Sequence, residues 1–318
     1  MKFYRTSWFK YFLGIALTIA TYVSFVTPIA GYFQDVANLT MQSGAKSVAV
    51  RARLVKPVYD SAGYKYIYAK DFLDQSAAIR VSSDPGVKVG EVFVARLAYI
   101  PAQKGMEWVE LVRINPMMTF PLIPGLGELG RNMIFHVPMS MVAFLAFLMG
   151  TINSIMYLRK KDLDYDKRAR AHSAAGTLFT VLATITGSIW ARFSWGSFWN
   201  WDPRETSIFI LLLIYMAYFI LRSLLEESED KKARIAAVYN IISFVSVPFL
   251  MFVLPRITQS LHPGGGGTEA PIINANGKSH VDPTLSRMLW INVLLFAMLY
   301  AWITDLYTRL LRLEDREA

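Results

Sequence analysis

The chain has 318 residues, 54% hydrophobic and 14% aromatic, with a mean hydropathy of +0.32, above that of soluble globular domains. It contains no cysteine, which excludes disulfides, thiolate metal sites and cysteine nucleophiles. The net charge of +9 sits at the ends of apolar runs rather than along a soluble face with interleaved aromatics, a pattern that suits a membrane and speaks against nucleic-acid binding.

Spanning a bilayer takes about 20 apolar residues in a helix, and six runs approach or exceed that length. They lie at about Trp8 to Ile29, Phe135 to Leu158, Ala174 to Ala191, Thr206 to Leu221, Ala233 to Leu254 and Met288 to Tyr307. The expected fold is an all-α polytopic membrane protein of six transmembrane helices. The first run follows Lys2, Arg5 and Lys10 without a small-residue cleavage site, so it is read as a retained anchor.

Between the first two runs the text changes period. Val48 to Leu54, Tyr64 to Tyr68, Glu91 to Leu97 and Glu107 to Val112 alternate, broken at Asp60-Ser61-Ala62-Gly63, Asp84-Pro85-Gly86 and Lys104-Gly105. Such runs predict short strands and a small β-rich extracytoplasmic insert over about 46–114. The expected organisation is an N-terminal transmembrane helix at 1–30, an extracytoplasmic loop at 31–133 carrying the insert, and a five-helix core at 134–318. The insert's residues suit a structural decoration and a docking surface equally.

Orientation follows from the short connections. Arg159, Lys160, Lys161, Lys167, Arg168 and Arg170 separate the second and third runs. Arg222, Lys231, Lys232 and Arg234 separate the fourth and fifth, and the tail carries Arg309, Arg312 and Arg316. Only Arg192 and Arg204 lie between the third and fourth. Positive charge stays inside, so both termini are expected on the cytoplasmic side of the membrane. The loop at 192–206 then faces outward.

That loop reads Trp195-Gly196-Ser197-Phe198-Trp199-Asn200-Trp201-Asp202. So many aromatic rings beside a membrane suit a large, flat, apolar ligand, and haem is the leading candidate. Indoles also serve as interfacial anchors, which fits the scattered Trp8, Trp290 and Trp302. Trp195, Trp199 and Trp201 instead cluster around Gly196 and end on an acid. Asp202-Pro203-Arg204-Glu205-Thr206 reads as a capped helix start, a role compatible with orienting the loop. Arg204 or Arg192 suits a haem propionate, and either suits a lipid phosphate.

The four histidines are His136, His172, His262 and His280. His136 opens the second run and His262 follows the fifth, both on the side of the aromatic loop. Imidazoles are common axial ligands of haem iron, so His136 and His262 are the expected metal ligands, with His280 an alternative to His262; taken singly, each suits a hydrogen-bonding role equally. His172 lies at the opposite end among arginines, where a solvated or headgroup role is expected. The tract Gly264 to Gly267 lacks a following Lys-Ser/Thr, and no serine occupies a Gly-x-Ser-x-Gly elbow, so neither phosphoryl transfer nor serine hydrolysis is indicated.

The run from Trp195 to Thr206 resembles the tryptophan-rich "WWD" signature of the cytochrome c assembly family of haem-handling membrane proteins. Within it the six-span layout is most similar to the haem exporter protein C branch. His136-Val137-Pro138, Leu261-His262 and the approach Thr186-Gly187-Ser188-Ile189-Trp190 match that branch as well. The resemblance implies haem b bound through His136, His262, Trp195, Gly196, Phe198, Trp199, Trp201, Asp202 and Arg204. It implies delivery, without turnover, to a periplasmic haem chaperone (CcmE-like), beside ABC-transporter-type subunits and membrane lipid. Two features depart from it: the β-rich insert, and an Asp202 to Thr206 stretch closer to the sister branch of cytochrome c synthetase subunits (CcsA). A synthetase subunit is therefore the alternative, and a scaffold whose indoles only anchor it is the third reading.

Overall fold

The computed structural model describes residues 5–27, 29–34, 36, 48–71, 74–102, 105–113, 120–121, 127–225, 228–262 and 283–317. They form two compact units, one of Met1–Ala20 with Asn132–Ala318 and the other of Thr21–Arg131.

The helical unit is built from α1 (Ser7–Val26), α2 (Met133–Lys160), α3 (Leu163–Trp195), α4 (Pro203–Leu224), α5 (Glu229–Ile257) and α6 (Pro283–Glu317). All six are long and apolar enough to cross a membrane. A 3₁₀ turn, Gly127–Asn132, leads into α2, and α5 passes through a π turn at Phe249–Val253. Five of the helices extend past the apolar runs that predict them at both ends, whereas α1 stops at Val26, short of the expected Ile29. The largest difference is at α3, which starts at Leu163 rather than Ala174. The Asp162 carboxylate accepts from Asp164 N at 2.9 Å and caps it. The charged turns that follow are helical because their charges are met. Asp164 accepts from Arg312 Nε at 2.6 Å, Lys167 pairs with Asp315, and Arg222 grips Asp166 through two 2.7 Å bonds. The basic "loop" of the sequence is thus largely helix, with only Lys161 and Asp162 between α2 and α3.

Lipid offers helices no hydrophobic reason to associate, so close packing and buried polar bonds must hold them. At Gly176 a Cβ would lie 2.6 Å from the Phe147 ring, so glycine lets α3 approach α2 closely. Phe147 in turn stacks on Tyr215 of α4 at 3.8 Å. Asn240, fully buried in α5, donates to Ser154 Oγ of α2 at 2.9 Å and accepts from Ser173 Oγ of α3 at 3.3 Å. His172 belongs to this framework: its Nδ1 shares a 2.6 Å hydrogen bond with Tyr300 Oη of α6. The expected solvated role is corrected here, because a long tyrosine on the facing helix reaches the imidazole. Arg5 pairs with Asp305 at 2.8 Å beside the Phe9, Leu13 and Leu295 contact of α1 with α6.

The second unit is a five-stranded closed barrel of β2 (Val48–Ser61), β3 (Tyr64–Asp71), β4 (Ser76–Val81), β5 (Val92–Ala102) and β6 (Gly105–Arg113), preceded by β1 (Ile29–Ala30) and followed by β7 (Phe120–Pro121). Strand order is β2-β3-β4-β6-β5, antiparallel except for the β4–β6 pair, the Greek-key closure of an OB-type barrel. Alternation places Val50, Ala52, Leu54, Ile67, Ala69, Ile79, Phe93, Ala95 and Leu97 inside. The Ala62-Gly63 corner has positive φ at both residues, as a type I′ hairpin requires. Register shifts between Leu54 and Tyr59 bend the long β2, which closure of so small a barrel needs. β4 went unread in the sequence, since Ser76-Ala77-Ala78 carries little apolar signal. The parallel β1–β7 pair joins Ile29 to Phe120 and Ala30 to Pro121.

Replacing Gly176 by alanine should overpack the α2–α3 seam by about 1–3 kcal/mol, lowering the thermal midpoint of the detergent-purified protein. Gly14→Ala, where nothing lies within 4 Å of the added carbon, is the control expected to leave it unchanged.

Candidate functional site

Helix α3 ends where Gly196 takes φ +84 and returns its N–H to Arg192 O at 3.1 Å. The Arg192 guanidinium donates to Gly196 O and lies over the Phe198 ring at 5.8 Å. Of the two arginines suited to an anion, Arg192 is therefore engaged in shaping the loop. The loop is held from within: Ser197 Oγ donates to Trp199 O at 2.9 Å, and Asn200 Nδ2 donates to Ser197 O at 3.2 Å. Glu205 Oε2 accepts from Asn200 N at 2.7 Å and from Asp202 N at 3.3 Å, completing a capping box with Asp202.

The aromatic rings take three settings. Trp199 is half-buried, edge-on to Phe209 of α4 at 6.1 Å and to Trp201 at 5.9 Å. Trp201 has φ +56, a backbone conformation costly for a bulky residue, and its side chain is 70% exposed. Phe198 is 58% exposed. Trp195 meets the His262 ring edge-on at 6.2 Å, while Trp190, buried in α3, stacks on the same imidazole at 5.9 Å and 27°.

His136 stands one turn into α2, against α3. Its Nδ1 lies 3.0 Å from Ala183 O and 3.1 Å from Thr186 Oγ1. A carbonyl only accepts, and the threonine hydroxyl has its proton directed to Leu182 O at 2.9 Å, so Nδ1 carries the hydrogen. The lone pair is left on Nε2, the arrangement of a metal-binding imidazole. A Cβ at Gly187 would lie 3.0 Å from His136 Cε1, so this glycine admits the ring. Asn132 Nδ2 donates to Thr186 O at 2.8 Å and pins the start of α2 to the same stretch. Gly187 and Trp190 are separated by about 4.5 Å of helix axis. His136 packs at Gly187 and His262 at Trp190 of the same helix, and His262 is among the electrostatic neighbours of His136.

Asp202 joins the two halves. It is 5% exposed, and besides capping α4 at Arg204 N (3.0 Å) it accepts from Leu261 N at 2.7 Å and from Ser260 Oγ at 2.9 Å. Ser260 Oγ accepts in turn from His262 N at 3.0 Å. The Asp202 carboxylate is therefore directed into the protein, where it positions the His262 segment. Arg204 differs: its Nε is buried with no hydrogen-bond partner among the described residues, as are Glu205 Oε1 and Ser194 Oγ. His280 and the glycines 264–267 lie outside the described residues.

Of the residues expected from the sequence, His136, His262, Trp195, Asp202 and Arg204 gather at this end of the bundle, with Gly196 as the helix stop. Trp199, Trp201 and Phe198 form the adjoining loop surface. Ala183 and Ser260 carried no distinguishing signal, whereas Thr186, Gly187 and Trp190 lie in the stretch the sequence singled out but to which it gave no site role; with Ala183 their spacing of three, four and seven marks one helix face. Among the described residues no three His, Cys, Asp or Glu side chains gather as a bare-metal site requires. Two imidazoles amid indoles fit instead a metal that brings its own equatorial ring, and a buried guanidinium donor without a partner fits a ligand that carries acid groups.

Fold and site together define a polytopic membrane protein with a paired-imidazole, indole-lined site at one end of its bundle. The model of the heme exporter protein C family matches residues 115–317. The chain belongs to that family. It is 32% identical over 145 residues to the heme exporter protein C of Paracoccus denitrificans, covering 46% of this chain and 60% of that protein. It is 27% identical over 189 residues to the heme exporter protein C of Rhodobacter capsulatus, covering 59% of this chain and 75% of that one. The cytochrome c biogenesis protein CcsA of Chlamydomonas reinhardtii matches at 28% over 158 residues, covering 46% of this chain and 43% of its own length.

Exchanging Asp202 for alanine removes a charged acceptor whose bonds contribute about 1.5–3 kcal/mol each. Amide hydrogen exchange at Leu261 should then quicken by about ten- to a hundredfold, while amides in the middle of α2 and α3 keep their protection.

Proposed function

We propose that this chain serves cytochrome c maturation by binding haem b at the aromatic-loop end of its bundle and passing it on. That end faces the outside of the bacterial inner membrane and both termini are cytoplasmic, as the distribution of Lys and Arg at the helix ends favours. The recipient is a periplasmic haem chaperone of the CcmE type, reached in company with ABC-transporter-type subunits. The chain acts as a carrier rather than an enzyme: its site presents ligands and a platform, and Asp202, the acid at its centre, has its carboxylate turned into the protein. The observation that carries the reading is the imidazole pair, with His136 Nε2 free because Ala183 O holds the proton on Nδ1.

Haem would bring the iron and the flat macrocycle; His136 and His262 would hold the metal, and the indoles would give the ring an apolar surface. His136 is built into a helix and held from Ala183 and Thr186. His262 sits on the segment after α5, tied down through Ser260 and Asp202. Holding one ligand on a rigid helix and the other on a short tether suits a carrier, since the tethered ligand can yield to a recipient while the first keeps its grip.

Protein purified from a haem-replete host should show a Soret band, lost on replacing His136 and His262 together by alanine. His262→Ala alone should leave a weaker, shifted band. A wild-type spectrum in the double variant would end the proposal. The similarity to a CcsA protein keeps a second reading in play, in which the chain is a synthetase subunit. Covalent cytochrome c formed from apoprotein and haem without any chaperone would favour it.

A further inference from the structure

The heme exporter protein C model matches from residue 115 onward, past β6, so membership of that family gives the barrel no task. Strands β2, β3 and β4 form one wall of it. Ile67, Ala69 and Ile79 point inward, so the alternate positions of β3 set Tyr64, Tyr66, Tyr68 and Lys70 on the outside. The register then builds rows. Arg53 stands across from Lys70, Lys56 across from Tyr68, and Tyr59 of β2 and Arg80 of β4 on either side of Tyr66. The other partners in these rows are Ser61, Ser76 and Ala78, so a ladder of tyrosines is bordered by cations and no acid shares it. Of the acids nearby, Asp60 lies opposite Lys65 on the alternate rows, and Asp74 of the turn meets Lys70 at 3.0 Å. Asp71 is buried and accepts from Phe33 N and Gln75 N.

The cations are held down on the wall. The Arg80 guanidinium lies 3.6 Å over the Tyr64 ring and Lys56 Nζ 5.8 Å over that of Tyr68, while Tyr59 and Tyr66 stack at 6.0 Å. Cations fixed on rings lose less freedom when they pair with an anion. This wall is the one that OB-type barrels use for extended ligands. Bases bind such walls by lying on ring faces, but here Arg80 occupies a face of Tyr64 and Tyr59 stacks on Tyr66, so the wall offers charge and hydroxyl groups. Its outward residues repeat along β3 at about 6.7 Å, the spacing of alternate side chains in an extended peptide. We propose that the β2–β3–β4 wall docks an extended acidic segment of a partner protein. Carboxylates at alternate positions of that segment pair with Arg53, Lys56 and Arg80, and tyrosine hydroxyls donate beside them. Nothing in this docking depends on haem.

The full chain, in nanodiscs of zwitterionic phospholipid, is titrated against a short fluorescent peptide of alternating Glu and Thr, and against the same peptide with Gln for Glu. Anisotropy should show the Glu peptide bound about tenfold more tightly, a preference that raised salt removes. Arg53→Gln with Lys56→Gln, both at exposed positions, should cut the preference severalfold. Arg96→Gln, at an exposed cation of β5 outside these rows, should leave it intact. Equal binding of the two peptides by the wild type, or a preference that the paired variant retains, would overturn the docking. An equal loss in Arg96→Gln would reduce the effect to net charge and overturn it as well. So would tighter binding of oligothymidylate or polygalacturonate than of the Glu peptide, which would reassign the wall to a nucleic acid or an acidic glycan.

Discussion

Asp202 lies where the end of the aromatic loop, the start of α4 and the segment following α5 meet, and its carboxylate satisfies backbone or hydroxyl donors from the last two. A buried carboxylate is tolerable only when its oxygens are well supplied with donors, so the three strands of chain must come together for any of them to be stable there. The position of His262 is a consequence of that requirement. Its backbone is fixed by Ser260, Ser260 by Asp202, and Asp202 by the helix it caps. The imidazole that contacts Trp190 and Trp195 is thereby referred to the same framework as His136, which α3 holds through Ala183 and Thr186.

The rest of the bundle is organised by the same constraint, that a polar group away from water needs a partner. Asn240 bridges α2, α3 and α5, Arg222 and Asp166 join α3 to α4, and His172 and Tyr300 join α3 to α6. Each lies at a contact that lipid alone would not enforce. α3 takes part in all three, and it is also the helix against which His136 rests. A rigid α3 is therefore what gives the site a fixed edge.

Much of the helical fold was legible because hydropathy reports directly on lipid. All six helices are found, and their errors lie at the ends, where charged turns look like loop until the opposite charges are known; the Arg312 and Asp315 partners of the first α3 turns are distant in sequence. In the insert, alternation revealed the strands with buried branched residues and overlooked β4, whose early inward position is an alanine. Barrel closure was not readable, since it depends on the parallel β4–β6 pairing. At the site, the histidines and indoles stood out by type and clustering, and the Asp202 cap by its setting before Pro203 and Glu205. What escaped was the support: Ala183 acts through a carbonyl that every residue possesses, and Ser260 is one serine among many. The destination of the Asp202 carboxylate needed coordinates, because a cap that also binds a remote segment has the same local sequence as one that does not.

The two-residue strands at the borders of the barrel carry a consequence out of proportion to their size. Ile29 pairs with Phe120 and Ala30 with Pro121 in parallel, so the segments that precede and follow the barrel strands in the chain lie side by side. Closing a loop costs entropy that depends on the separation of its ends, and here that separation is bridged within the insert itself. The two ends of the insert are joined by main-chain pairing. Such a layout lets a domain be gained or shed in evolution without disturbing the host into which it is spliced.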